Sequence, residues 1–198
     1  MAQRLISPAN DSFIRSAAAF VDSNFADQVT TWCGFMTTAS VRINRSLFNL
    51  PTADLRLLFF SLAEIEVNVT TASAEAVAFS CFALNPPAAI NWTNLSWTNL
   101  DQGVPTAWTS PGGDVTGSGS TGLVMPIATG LARFDVTTAL TQALAAFPVA
   151  SHVGLLFKKD DEAAQNRFIF DSLEGTIPPK LFVTVPDGRR SLALLGVG

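Results

Sequence analysis

Residues 131–157 constrain the fold more than any other stretch, because they predict a short helix between two strands. Asp135 or Thr137 can accept hydrogen bonds from the free amides of a first helical turn. Two leucines follow one turn apart, on the same helical face. Since Pro148 cannot continue a helix, the element is limited to about residues 137–146. No other segment shows helical periodicity, so we expect one short helix on an otherwise β structure.

Short strands account for most of the remaining chain. The clearest signal is residues 65–70, where Ile65, Val67 and Val69 alternate with polar residues. About ten short strands separated by turn signals are typical of a β-sandwich or a jelly roll. We therefore predict one all-β domain over residues 1–188, followed by an apolar tail over residues 189–198. The other predicted strands are residues 11–16, 29–36, 41–50, 76–84, 123–136, 153–158, 167–171 and 180–185.

Residues 88–122 differ from the strands, because Trp, Asn, Thr, Ser, Gly and Pro dominate them. So many indoles predict an ordered loop rather than a free linker. Indole faces stack on sugar CH faces, and amide and carboxylate groups supply directional hydrogen bonds. The alternative is that one indole packs in the core and another anchors the loop. The absence of Tyr favours that alternative. The candidate glycan-binding residues are Trp92, Trp97, Trp108, Asn99 and Asp114.

Charged residues make up 14% of the chain, against about 25% in ordinary soluble domains. A weakly charged surface predicts that partners cover much of it. The alternative is a monomer rich in Ser, Thr and Asn. The net charge of −4, with no Lys/Arg cluster beyond Arg189 and Arg190, argues against nucleic acid as a partner. No apolar run reaches the ~20 residues of a membrane span, and residues 1–8 do not resemble a signal peptide.

No set of residues predicts catalysis or metal binding. His152 is the single histidine, and no nucleophile or acid motif is placed to act with it. Residues 158–162 predict a solvated hairpin turn rather than a catalytic carboxylate pair. Asp114 alone is not a calcium ligand set. Cys33 and Cys81 are expected to be small buried hydrophobes. We predict a protein that is not an enzyme and has no catalytic residue, metal or cofactor.

The apolar tail supplies the most specific interaction hypothesis. Its Leu192, Leu194, Leu195 and Val197 would promote aggregation if they were exposed. Ten extended residues reach about 30 Å, enough to contact an adjacent subunit. We predict that these four residues bind a neighbouring copy in a homo-oligomer. The alternative is a tail that folds back on its own domain.

Six segments carry a further signal through their order and spacing. They are residues 9–15 (ANDSFIR), 45–50 (RSLFNL), 97–99 (WTN) with 108–114 (WTSPGGD), 134–137 (FDVT), 154–157 (GLLF) and 178–185 (PPKLFVTV). Together they resemble the DNRLRE-type domain, a disaggregatase-related β-sandwich grouped with carbohydrate-binding modules. The resemblance implies a binding or structural module. Two departures are Asn49, where Asp is usual, and the absence of an arginine between Ser172 and Glu174.

Such modules usually accompany export signals and other domains, whereas similar sandwiches in tailed bacteriophages are stand-alone chains. The second context suits this sequence better. We therefore expect a non-enzymatic virion structural protein, either a capsid decoration (cement) protein or a tail-associated one. Its partners would be copies of itself and other virion proteins, with no nucleic acid and no membrane, after assembly in the host cytoplasm. The alternative is a carbohydrate-binding module that recognises a polysaccharide or a cell-surface glycan, and both roles can hold together.

Overall fold

The structure, a computed structural model, describes residues 1–17, 19–36, 42–85, 89–102 and 106–186. These residues form short strands, one α-helix and a 3-10 turn at Leu55–Leu57. The predicted all-β fold with one short helix is thereby confirmed. The elements are β1 (Ala2–Ile6), β2 (Asn10–Arg15), β3 (Thr30–Met36), β4 (Arg42–Pro51), β5 (Leu62–Thr71), β6 (Ala78–Leu84), β7 (Asn99–Asp101), β8 (Thr106–Ala107), β9 (Val115–Val124), β10 (Gly130–Asp135), α1 (Thr137–Ala146), β11 (His152–Lys159), β12 (Asn166–Asp171) and β13 (Lys180–Val185).

All strands except β7 and β8 belong to one curled antiparallel sheet, which gives the chain a sandwich-like form. Its order is β1-β13-β5-β12-β3-β4-β11-β6-β9, with β10 on β5 and β2 on β4. The first strand pairs with the last, so that Ala2 lies opposite Val185. Strands β7 and β8 form a separate pair within the tryptophan-rich loop.

The inner core lies inside the curled sheet and is built largely of phenylalanine and aliphatic side chains. Strand β5 shows the predicted alternation, because Ile65 and Val67 are buried while Glu66 and Asn68 are half-buried. Phenylalanine rings from β6, β10, β11 and β12 meet at centroid separations of 4.9 to 5.9 Å. Cys33 and Cys81 are free thiols buried in this core, as predicted, and burial raises the pKa of both.

Helix α1 covers β9 and β6. Asp135 Oδ1 accepts the Thr137 N–H at 2.8 Å, as predicted, whereas Thr137 Oγ1 accepts the Ala63 N–H. The helix buries Leu140, and Leu144 on the same face packs partly against the core. The helix ends at Ala146, and Phe147 separates it from Pro148. No helix in the described ranges has the length and apolarity to cross a bilayer.

A second core lies on the outer face of strands β2, β4, β11 and β6, the face that points away from the inner core. It combines Ile14, Leu47, Leu84 and Leu156 with the indoles of the loop that follows β6. Strand β4 is consequently buried on both faces, and every residue from Asn44 to Leu50 is inaccessible.

The sequence-based strand assignment fails at β1, at β7 and β8 inside the predicted loop, and around β9 and β10. Strand β1 was not predicted, because its residues are mostly exposed and do not alternate. The single strand expected over residues 123–136 is interrupted, since β9 ends before Pro126, which lacks an N–H to donate. Strand β9 also extends back into the glycine- and serine-rich stretch. Gly119 has φ +70°, and a Cβ there would lie 2.4 Å from the Cys81 carbonyl oxygen, so this close approach requires glycine.

Candidate functional site: an apolar end and an arginine–aromatic cluster

The three indoles predicted to bind glycan lie together, but inside the second core. Trp92 and Trp97 are each 8% exposed and Trp108 is 3% exposed. The Trp108 Nε1–H donates to the Ser96 carbonyl at 2.9 Å, which anchors the loop. None of these three rings offers an open stacking face to a sugar. Their arrangement is the one that the packing alternative expected.

Asn99 and Asp114, the polar candidates for glycan binding, form hydrogen bonds within the same loop region. Asp114 accepts the N–H groups of Thr109 and Ser110 at 2.6 and 2.8 Å. Asn99 Nδ2 donates to Thr98 Oγ1 at 2.9 Å. These contacts occupy groups that a ligand would need, so Asn99 and Asp114 stabilise the loop conformation.

Arg45 on β4 joins the loop to the sheet, a role that the sequence did not indicate. Its Nε and Nη2 bind the two Glu162 carboxylate oxygens at 2.8 and 2.7 Å. Its Nη1 donates to the Gly112 carbonyl at 2.7 Å, and its guanidinium carbon lies 4.7 Å from the Trp97 ring centroid. Gly112 has φ +97°, and a Cβ there would collide with Arg45 and Trp97. Arg45 therefore has a complete set of partners.

The turn expected at residues 158–162 is not a hairpin, because β11 pairs with β4 and β6 while β12 pairs with β3 and β5. Asp160 and Asp161 are exposed, as expected, but Lys159 is 1% exposed. Its Nζ donates to the Asp161 and Ala164 carbonyls, so backbone groups replace water around the ammonium. Asp160 Oδ1 accepts the Ser80 hydroxyl at 2.6 Å. The Lys159 charge is thus held by the protein, while the Asp160 and Asp161 side chains reach solvent.

His152 and Asp11 are the remaining candidates for chemistry. His152 Nδ1 lies 3.1 Å from the Ser151 hydroxyl. Asp11 Oδ2 accepts the Leu173 N–H at 3.1 Å, while Oδ1 is buried without a partner. The pKa of Asp11 is raised to about 7. Burial is the main cause and the charge of Glu174 adds to it, while the Leu173 hydrogen bond acts in the opposite direction. Within the described ranges no group of three or more His, Cys, Asp or Glu side chains is arranged to hold a metal ion.

One end of the molecule exposes large apolar side chains. Leu57, Phe59 and Val149, here called the apolar end, are 63%, 66% and 96% exposed. The Arg56 guanidinium holds their two segments together, because it donates to the carbonyls of residues 147, 148 and 150. The neighbouring Leu58 and Phe60 pack against the inner core. Residues 57–60 are thus apolar on the face that packs inward and on the face that meets solvent.

A second surface feature surrounds Arg15 at the end of β2. Its guanidinium carbon lies 4.8 to 5.3 Å from the ring centroids of Phe13, Phe20, Phe25 and Trp32. Its Nε donates to Asn44 Oδ1 at 2.9 Å. Cation–π contacts of this kind stabilise a charge that water hydrates poorly.

Two more arginines join this group. Arg167 on β12 lies 4.8 Å from the Trp32 ring centroid and donates to Met36 Sδ. Arg42 on β4 lies 5.6 Å from the Phe20 ring centroid. We call these three arginines and the four rings the arginine–aromatic cluster. The sequence places each arginine on a predicted strand but contains no signal that brings the three together.

Electrostatics within the cluster are repulsive. Burial, and then the charges of Arg42 and Arg167, lower the pKa of Arg15 to about 10. Burial, and then Arg42, lower the pKa of Arg167. The Arg15 and Arg167 guanidinium groups stay protonated at neutral pH, so like charges face each other across the Trp32 ring.

A groove of about 380 Å³ opens beside Arg167. Phe35, Met36 and Ala72 supply apolar wall, while Thr71 and Asn166 supply polar groups. Asn166 Oδ1 is already an acceptor for the Ser73 hydroxyl and the Ala74 N–H. The volume falls within the range of small-ligand sites, about 300–1,000 Å³.

Comparison with known proteins identifies no relative, since no protein-family profile and no curated protein matches this chain. The resemblance to the DNRLRE-type domain stays a prediction. The tail residues Leu192, Leu194, Leu195 and Val197 lie outside the described residues.

Proposed function

We propose that this protein is a non-enzymatic structural protein of a bacteriophage virion, a capsid decoration or tail-associated subunit that binds neighbouring copies. The observation that carries the proposal is the apolar end. Phe59 and Val149 are large side chains that expose 66% and 96% of their surface. Adjacent exposed hydrophobes of this size mark surfaces that another protein covers.

The apolar tail of a neighbouring copy is the proposed occupant of the apolar end. The Ser61 N–H donates to the Thr184 carbonyl at 2.9 Å, so the apolar end adjoins the point where β13 leads into the tail. The tail carries four large hydrophobes and can reach about 30 Å when extended. Exchange of tails between copies would cover both apolar surfaces at once. Other virion proteins would bind around this self-association.

Sedimentation velocity of the full chain tests self-association. We expect the wild type to form oligomers and the double variant Phe59→Ser/Val149→Ser to be monomeric. Leu194→Ser/Leu195→Ser should have the same effect, because it alters the other half of the contact. Leu131→Ser, which changes a leucine 64% exposed on β10, is the matched control and should leave the oligomer intact. A wild type that stays monomeric at high concentration would contradict the proposal.

The virion location needs a separate experiment. Mass spectrometry of purified phage particles should detect the protein at a stoichiometry of many copies per particle. Its absence from intact particles would remove the virion role while leaving self-association untouched.

Glycan recognition is the second proposal, and it is supported by the gathering of three indoles in one loop region. Because these indoles are buried, binding through them requires the loop to open. A broad glycan array tests this proposal, with Trp97→Ala and Trp108→Ala as variants. Array binding that both variants abolish would support it, and an empty array with variants that lose only stability would reject it.

A further inference from the structure

In the part of the chain that the structure describes, arginines stack on aromatic rings in three places, and in two of them the stacked arginine pairs with a carboxylate. Arg45 on Trp97 binds Glu162. Arg133 lies 4.1 Å from the Phe182 ring centroid and pairs with Glu66 at 2.8 Å and with Glu64 at 3.8 Å. In the third place, the arginine–aromatic cluster, neither Arg15 nor Arg167 forms an ion pair with a carboxylate of the described chain.

Hydrogen-bond donors in the cluster are also left over. A guanidinium group carries five N–H donors. Within the described residues, Arg15 uses its Nε on Asn44 and Arg167 uses Nη1 on a weak sulfur acceptor. Arg15 is only 6% exposed, so the donors that a ligand can reach are those of Arg167, which lines the adjoining groove.

The groove beside Arg167 gives the donors of that arginine a place to act. Its walls are partly apolar, and Arg167 lines it directly. A ligand with a charged group and a neutral body can place the first on the guanidinium forks and the second in the groove. Guanidinium forks match the geometry of carboxylate, sulfate and phosphate oxygens.

We propose that the arginine–aromatic cluster and the adjoining groove form a binding site for an oxyanion group, a carboxylate, sulfate or phosphate, carried by a small ligand or by an acidic sugar unit. The bound anion neutralises part of the repulsion between Arg15 and Arg167. This site is distinct from the three buried indoles and from the apolar end, and it does not depend on self-association.

Titration calorimetry and amide and indole NMR spectra test the site with three probes at constant ionic strength. The probes are inorganic sulfate, glucuronate and neutral glucose. We expect sulfate and glucuronate to bind saturably and to shift the Trp32 indole N–H signal, and glucose to bind far more weakly. Tighter binding of glucuronate than of sulfate assigns the site to an acidic sugar, and the reverse assigns it to a free oxyanion.

Variants assign the binding to the cluster. Arg167→Gln should weaken binding of both anions by roughly tenfold, the loss of one charge-assisted contact. Arg167→Lys should restore part of the affinity, because it keeps the charge without the fork. Arg133→Gln removes another ring-stacked arginine and is the matched control, with affinity unchanged.

Two results would overturn the site. The first is that no probe binds saturably to the wild type or shifts the Trp32 indole signal. The second is that Arg133→Gln weakens binding as much as Arg167→Gln, which would indicate general attraction to positive charge. The wild-type spectra decide the first point even if a variant fails to fold.

Discussion

Arg45 and Arg15 are both buried arginines stacked on an indole, yet their surroundings differ. Their guanidinium carbons lie 4.7 Å from the Trp97 centroid and 4.8 Å from the Trp32 centroid. Arg45 has the two oxygens of Glu162 and a backbone carbonyl as acceptors. Arg15 has one neutral amide oxygen, from Asn44. The comparison shows that one stacked arginine is neutralised by a carboxylate, whereas the other has a neutral amide as its hydrogen-bond acceptor among the described residues.

The largest effect on the free energy of unfolding should come from breaking the Arg45–Glu162 ion pair. Glu162→Gln removes the carboxylate and leaves Arg45, whose side chain is 11% exposed, without its counter-charge. We expect a loss of about 3 kcal/mol in the free energy of unfolding, measured by urea denaturation. Asp161→Asn changes an exposed carboxylate in the same turn and should stay within about 0.5 kcal/mol. Equal losses in the two variants would show that Arg45 does not depend on its partner.

Asp11 shows what a buried acidic group without a full set of partners does to stability. One of its carboxyl oxygens, Oδ1, is buried and has no hydrogen-bond partner. Its pKa is about 7 in the folded protein, above its ordinary value of 3.8. Between these values the folded state holds a proton that the unfolded state has lost, so stability falls as pH rises. The loss from about pH 5 to about pH 7 should be about 2 kcal/mol.

Asp11→Asn should remove that part of the pH dependence. Urea denaturation across this range measures it, and Glu174→Gln, which removes a charge that raises the pKa, should reduce the slope only partly. Parallel curves for the wild type and Asp11→Asn would contradict the assignment.

The smallest effect on stability should come from a substitution in the arginine–aromatic cluster. Arg167→Gln loses a cation–π contact with Trp32 but also removes a like charge near Arg15. These changes oppose each other, so we expect a difference within about 0.5 kcal/mol without added anion. Sulfate should then raise the Tm of the wild type more than that of the variant. A large loss without anion would mean that Arg167 acts like Arg45.

Local patterns predicted much of the fold. The helix was expected at about residues 137–146 and occurs at Thr137–Ala146. The alternation in β5 and the burial of both cysteines also followed from residue type and spacing. The break before β10 was missed although Pro126 marks it, and the glycine-rich part of β9 was missed because its strand conformation depends on pairing with β6.

The sites were predicted less well, for a physical reason. The indoles were visible as a group, but their exposure depends on whether the loop folds onto β4 and β11. Lys159 looks like a surface residue until the carbonyls of Asp161 and Ala164 enclose it. Arg15 and Arg167 are ordinary strand residues whose shared contact with Trp32 requires β12 to lie beside β3.

By itself, the sequence determined the kinds of element, the apolar positions inside them and the low overall charge, since these depend on residues close together in the chain. Only the tertiary structure decided which arginines receive a carboxylate and which tryptophans lose contact with water. Strand pairing brings distant residues together, and electrostatic energy depends on those distances rather than on separation along the chain.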